Sequence, residues 1–412
     1  MNVSIVHLIF KKLESTPPII LVPRVNKQEF KLSHSKSSRS SQSFIFSNSQ
    51  NTLLDIRNSE FQNSLNTAVT ISTSRTLNKY ISKHIYINSE QNHTFVNCYF
   101  VNCQSNSKNG GGAIFFDDIN GNLKIKKSIF YKCSTSNKYS NGGAILVKSG
   151  SGNSKFVENC FTKCTTIQSG QGIFLHSRNM FTIMNRTSFH FCPDIYLDQQ
   201  SNSFAVSSDI MVETTNQSCS TCYKTPIFSI HGETICTVYF FQAINNTCVD
   251  GSSLYNIVIN KQSNIANAGN WSIVSGNNQQ NIIGYYYVDD FTHSFLIVSK
   301  CGNKTRIQCG NGKLTLRYCT FEFPLEAVNK TGVVLSENNI IGTGVFQMKY
   351  IFTMNCGSNV EQSLVDRTSF ASIFVLSVLS LVLAILFNLA AKASKMRNEK
   401  IYELLSIPET EN

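Results

Sequence analysis

Fourteen cysteines in a chain of 412 residues are the first side chains whose type and spacing could do chemistry. An even number this large points to pairing in an oxidising compartment. Cys219-Ser-Thr-Cys222 has the spacing of a redox or zinc dithiol, but no second pair stands at zinc-finger spacing, and His231 is the only histidine nearby. A local structural disulfide between Cys219 and Cys222 is therefore expected. Paired carboxylates occur at Asp117-Asp118, Asp194 with Asp198, and Asp289-Asp290, each apart from the others and without an adjoining basic or histidine motif. Carbohydrate-active enzymes need clustered carboxylates, so these pairs read as solvated turn residues. No Ser/His/Asp arrangement, phosphate loop or metal-ligand cluster stands out, and the chain is expected to be no enzyme and to use no metal or cofactor.

Four of the cysteines obey a positional rule, and it reveals the elements that must hold them. Phe100, Phe130, Phe161 and Phe189 recur at intervals of 30, 31 and 28, and each is followed three positions later by Cys103, Cys133, Cys164 or Cys192. A polar loop follows, then Gly-Gly-Ala-Ile at 111–114 and 142–145, relaxed to Gly170-Gln-Gly-Ile173. Weaker copies place Phe61 before Ser64 and Ala68-Val69, align Phe321 with Phe130, and leave YIFTMNC at 350–356. The apolar alternation shifts phase before Phe130 and again before Phe321, which predicts a bend there.

A repeat of this length is too short for a four-stranded propeller blade of about 40 residues. It suits a coil of two or three short strands that buries its inward face only by stacking. With 42% hydrophobic and 11% aromatic residues but one Trp, the composition suits stacked β-structure. The predicted fold is all-β, a right-handed parallel β-helix. Equivalent positions then lie about one strand spacing apart. Cys103 with Cys133 and Cys164 with Cys192 are thus candidate inter-coil disulfides; the alternative is a ladder of buried thiols. The glycine pair fits a corner that needs positive φ and has no room for a side chain.

Residues 370–391 run twenty-two positions without a charge, enough for one C-terminal transmembrane helix. Lys392, Lys395, Arg397 and Lys400 follow it, so the positive-inside rule places residues 392–412 in the cytoplasm and the rest outside. Sequons at Asn92, Asn185, Asn216, Asn245, Asn270, Asn303 and Asn329 are candidate glycosylation sites on that outer side. MNVSIVHLIFKK makes a poor signal sequence, leaving three options: a start further upstream, a weak signal, or a tail anchor below a cytosolic domain. The cysteine content speaks against the last. In the tail, Tyr402-Glu-Leu-Leu405 has the form of an endocytic sorting signal that docks on an adaptor; the bland alternative is an amphipathic turn.

The net charge is +11, of which +5 lies in residues 1–50; the remainder is thinly spread, without Lys/Arg runs interleaved with aromatics, so nucleic-acid binding is not expected. The expected organisation is a basic, Ser-rich leader or linker (1–50), an ectodomain (51–360) and a juxtamembrane linker (361–369), then the membrane helix (370–391) and tail (392–412). Within the ectodomain the coils are clearest over 95–197, while 200–290 reads as degenerate coils or a capping insertion.

The combination of Phe156-x-x-Asn159, Phe-x-x-Cys/Ser and Gly-Gly-Ala-Ile resembles the repeats of chlamydial-type polymorphic membrane proteins. It also resembles the surface-protein families of parasitic protists that set this repeat ahead of a single membrane helix. The resemblance implies a plasma-membrane β-helix that binds an unknown cell-surface or matrix ligand in adhesion or host interaction. The single helix, in place of an outer-membrane barrel, favours the eukaryotic type. The alternatives are a membrane-anchored carbohydrate-active enzyme and a passive variable coat protein.

Overall fold

A computed structural model of the chain describes residues 2–342 apart from 14–19, 23–27, 48–51, 73–90, 119–120, 149–151, 193–203, 223–227, 233–235, 249–252, 260–266, 271, 276–280, 287, 302–304, 323 and 330–331, and beyond them Lys392. Between residues 2 and 342 the regular elements described are all strands, and each pairs in parallel with its counterpart one coil away. The protein is a parallel β-solenoid.

Each full coil contributes a long strand, a short strand and a return strand. In one coil these are Gln91–Val96, Tyr99–Val101 and Ile114–Asp117; in the next they are Gly121–Lys126, Ile129–Tyr131 and Ile145–Lys148. Like strands stack in register, Phe95 on Ile125, Phe100 on Phe130 and Ile114 on Ile145. Alternate side chains of the long strand point inward, as Leu123 and Ile125 do, while Asn122, Lys124 and Lys126 point out.

Two left-handed corners frame the short strand. Asn58, Asn97, Lys127 and Glu158 hold φ near +50° before it, and Asn63, Asn102, Lys132 and Lys163 do so after it. Such a conformation costs a side chain about 1–2 kcal/mol, least for asparagine. The hydrogen-bond ladder continues through the bend: the N–H groups of Asn58, Asn97 and Lys127 donate to the carbonyls of Val96, Lys126 and Val157 at 2.9, 3.0 and 2.9 Å. The phase shift seen before Phe130 and Phe321 is this corner, at Lys127 and Tyr318.

The residue after each corner turns its side chain inward, and its N–H is met by the equivalent side chain of the following coil. Ser35 donates to Ser59 Oγ at 3.3 Å, Cys98 to Ser128 Oγ at 3.2 Å, and Ser128 to Asn159 Oδ1 at 3.0 Å. At the second corner Cys164 donates to Cys192 Sγ at 3.3 Å, Cys192 to Ser220 Oγ at 3.0 Å, and Ser220 to Asn246 Oδ1 at 3.0 Å. Small polar residues and cysteine recur at these positions because a buried N–H without an acceptor is costly; Leu296, after the corner at Phe295, departs from the pattern.

Between the two polar columns runs an aromatic one. The rings of Phe61, Phe100, Phe130, Phe161 and Phe189 stack at 5.0, 4.9, 4.6 and 5.0 Å. Each burial contributes about 1.5–3 kcal/mol and each ring pair about 1 kcal/mol more. One coil earlier the position holds Ser37, in register with Phe10 and Phe61, and Phe44 fills the space with edge contacts to both rings at 5.6 and 5.4 Å.

The Gly-Gly-Ala-Ile corner behaves as expected. Gly142 has φ +69°, and a Cβ on Gly143 would stand 2.2 Å from the Gln171 carbonyl. Ala68-Val69 does occupy the same rung as Ala113-Ile114, Val69 pairing with Ile114.

One boundary differs from expectation. The stretch 1–50, expected as a leader or linker, contains strands of the stack: Gln28–Ser33, Lys36–Ser40 and Ile45–Ser47 pair with Thr52–Arg57, Glu60–Gln62 and Val69–Ser72. Its serines looked solvated in sequence, yet Ser35, Ser37, Ser40, Ser43 and Ser47 are buried in the stack, where Phe30, Leu32, Phe44 and Ile45 supply the apolar core. Of the two readings of 200–290, the described strands fit degenerate coils. Phe204–Ser218, Cys236–Ile244 and Asn267–Asn270 lie in succession in the same sheet, with Ile210, Val212, Cys236 and Val238 turned into the core. Among the described residues no helix is long and apolar enough to cross a membrane. The expected span 370–391, linker 361–369 and tail with Tyr402 and Leu405 lie outside them, Lys392 excepted, as does YIFTMNC.

Candidate interaction surface

The four rule-abiding cysteines form a column of thiols, so of the two expected arrangements the buried ladder is found and the inter-coil disulfides are not. Cys103, Cys133, Cys164 and Cys192 are buried and carry no disulfide. Parallel strands hold their Cα–Cβ vectors side by side at a spacing of about 4.8 Å, beyond the ~3.8 Å between Cβ atoms that a disulfide takes. Each thiol instead donates to the carbonyl of a phenylalanine one coil back: Phe61, Phe100, Phe130 and Phe161, at 3.4, 3.4, 3.5 and 3.5 Å. Burial pushes Cys133 and Cys192 well above the ordinary thiol value. Cys219 is also a thiol, so the expected Cys219–Cys222 disulfide does not form. Cys219 occupies a left-handed corner, its N–H bonded to the Ile244 carbonyl at 3.1 Å, while Cys222 stands in register with Cys248.

Asp118 was expected to be a solvated turn residue, but it is buried against His93. His93 Nε2 lies 3.1 Å from Asp118 Oδ2, and the Leu54 N–H points at Nδ1 across 3.4 Å. A donor at Nδ1 leaves the ring proton on Nε2, which donates to the carboxylate. The pair is sealed from solvent, with side-chain exposures of 0% and 4%, so a polymer cannot reach it. It closes the coil over Gly121, where a Cβ would fall 2.3 Å from Asp118 Oδ2. Asp117 beside it is half-buried, and its carboxyl is raised mainly by that burial. Asp194 and Asp198 lie outside the described residues, as do the side chains of Asp289 and Asp290. Among the described residues no group of three or more His, Cys, Asp or Glu could hold a metal ion.

What faces outward is ordered in columns. On the long strands Asn92, Asn122 and Asn153 make one, with Asn122 Nδ2 donating to Asn92 Oδ1 at 3.0 Å and the Asn153 N–H to Asn122 Oδ1 at 2.7 Å. Beside it runs Lys31, Asp55, Thr94, Lys124, Lys155 and Ile183, each in register with the next. At the corners, Asn97 Nδ2 donates to Asn58 Oδ1 at 3.0 Å and Asn102 Nδ2 to Asn63 Oδ1 at 3.1 Å.

The candidate glycosylation sites divide by environment. Asn92 and Asn245 are exposed, the latter at a left-handed corner. Asn185 and Asn216 are half-buried, and Asn185 Nδ2 donates to Glu213 Oε2 at 2.8 Å. Asn303, and the side chains of Asn270 and Asn329, lie outside the described residues.

No family model, curated protein or solved structure matches the chain. The sequence pattern missed three things. The polar column of the first corner went unseen because its members, Ser59, Cys98, Ser128, Asn159 and Thr187, differ in type; their shared trait is a side-chain acceptor two residues past an apolar inward position and its neighbour. Phe156-x-x-Asn159 and Phe161-x-x-Cys164 therefore mark different corners, five residues apart. The partnership of His93 with Asp118, and of Lys124 with Lys155, needs the coil register, which no local window contains.

Proposed function

We propose that the chain is a single-pass protein of the plasma membrane whose solenoid ectodomain, a right-handed β-helix, mediates adhesion to a cell-surface or matrix ligand. The observation that carries this reading is the columnar outer face. Because equivalent side chains repeat at one strand spacing, a partner can engage several coils through one kind of contact. The uncharged segment 370–391 would anchor the ectodomain, the basic residues after it would hold the tail in the cytoplasm, and Tyr402 and Leu405 would dock a sorting adaptor. The repeat motifs resemble those of polymorphic membrane protein-like surface proteins, which supports the same reading.

The test is display of the full chain on non-adherent cells, scored by capture on monolayers of several cell types and on extracellular matrix. Capture above cells without the chain is expected. Absence of capture on every surface would leave a passive coat protein as the better reading.

A further inference from the structure

The stack brings together lysines that lie far apart in sequence. Lys124 and Lys155 are register partners on adjacent long strands, and both are exposed. Lys126 is the next outward residue on the first of these strands, and Lys127 is the exposed corner beyond it. The register neighbours flanking the Lys124–Lys155 pair are Thr94 and Ile183, and those flanking Lys126 are Val96 and Val157, all uncharged. Glu158, beside the cluster, is shared between Lys127 at 3.8 Å and Arg186 at 3.4 Å. Among the described residues no ion pair involves Lys124, Lys126 or Lys155.

In other coils several outward cations have an acid partner. Lys31 pairs with Glu29 at 2.9 Å, Lys36 with Glu60 at 3.0 Å, Arg57 with Asp55 at 2.8 Å and Arg317 with Glu337 at 2.8 Å. Like charges facing one another across a strand pair destabilise a sheet, and no acid pairs with Lys124 or Lys155 among the described residues. A local cost that the sheet leaves uncompensated is a mark of a functional site.

We propose that this face, centred on Lys124 and Lys155 with Lys126 and Lys127 beside them, binds an acidic polysaccharide. The ammonium groups would meet carboxylates or sulfates carried at intervals along the sugar chain. The adjoining column of Asn92, Asn122 and Asn153 presents amides suited to sugar hydroxyls. A nucleic acid fits less well: Thr94, Val96, Val157 and Ile183 around the lysines offer no aromatic platform for a base. This inference rests on the adhesion reading and supplies the chemistry of its ligand.

The test uses the full purified chain, with binding to immobilised heparin, polygalacturonate, neutral dextran and single-stranded DNA measured at several salt concentrations. Binding to at least one acidic polysaccharide, weakening as salt rises, and none to dextran are expected. Lys124→Ala with Lys155→Ala should weaken it about tenfold, the equivalent of about 1.4 kcal/mol, while Lys31→Ala with Lys36→Ala leaves it unchanged. An unchanged circular dichroism spectrum would show that both variants fold. Failure of both acidic polymers to bind, equal binding by parent and the Lys124/Lys155 variant, or tighter binding to DNA would overturn the inference. Because the purified chain is used, loss of capture in the cell assay together with intact heparin binding would strike the adhesion reading and leave this site standing.

Discussion

At a left-handed corner one backbone N–H has no partner in the strand ladder, and the following coil supplies one from a side chain. Serine, asparagine and cysteine all meet this need. Asn159 meets it twice over, accepting from the Ser128 N–H and donating to the Ile125 carbonyl at 2.9 Å. Asn159→Leu strands two buried polar groups and should cost about 3 kcal/mol in chemical denaturation, against about 1 kcal/mol for Asn159→Ser. The cysteines of the second corner should resist alkylation in the folded chain and react fully after denaturation without reductant; resistance after denaturation would mean they are bonded. A different residue-scale property appears at His293, where burial lowers the imidazole from 6.5 to about 3. Between those values the unfolded chain binds a proton that the folded chain does not. Stability is therefore fullest above about pH 6.5 and falls as the pH drops through that window, by about 1.4 kcal/mol per unit. His293→Leu should flatten the acid side of the stability profile, and an unchanged slope would show that His293 does not set it.

At the scale of the coil, the sequence was most legible where residue type and geometry coincide. Phe100, Phe130, Phe161 and Phe189 were readable as a ladder because one ring type recurs at the coil spacing in four successive coils, and the Gly-Gly pair because its first member needs positive φ and its second has no room. Coils built from Ser35, Ser37 and Ser40, or from Val212 and Gln217, were opaque because many small or aliphatic side chains fill those positions. Phe130→Ala, in the middle of the ladder, should destabilise by about 3–5 kcal/mol, and the same change at the exposed Phe240 should cost far less. Gly143→Ala tests the corner. Its Cβ would press on the carbonyls of Gln171 and Thr165 at 2.2 and 2.6 Å, so a melting temperature equal to that of the parent would contradict the packing described.

For the whole molecule, the solenoid turns sequence distance into surface proximity. Residues about one coil apart become neighbours, which is why the charge pattern looked featureless along the chain and concentrated on the folded face. The same property makes the solenoid a ruler of repeated contacts, and under the proposed function its use depends on which side of the membrane it occupies. Protease shaving of intact cells that express the full chain, with the fragments mapped by mass spectrometry, tests that directly. The account predicts that peptides from residues 2–342 are released while those from the tail beyond residue 391 stay with the cell. Protection of the solenoid until the cells are permeabilised would contradict it.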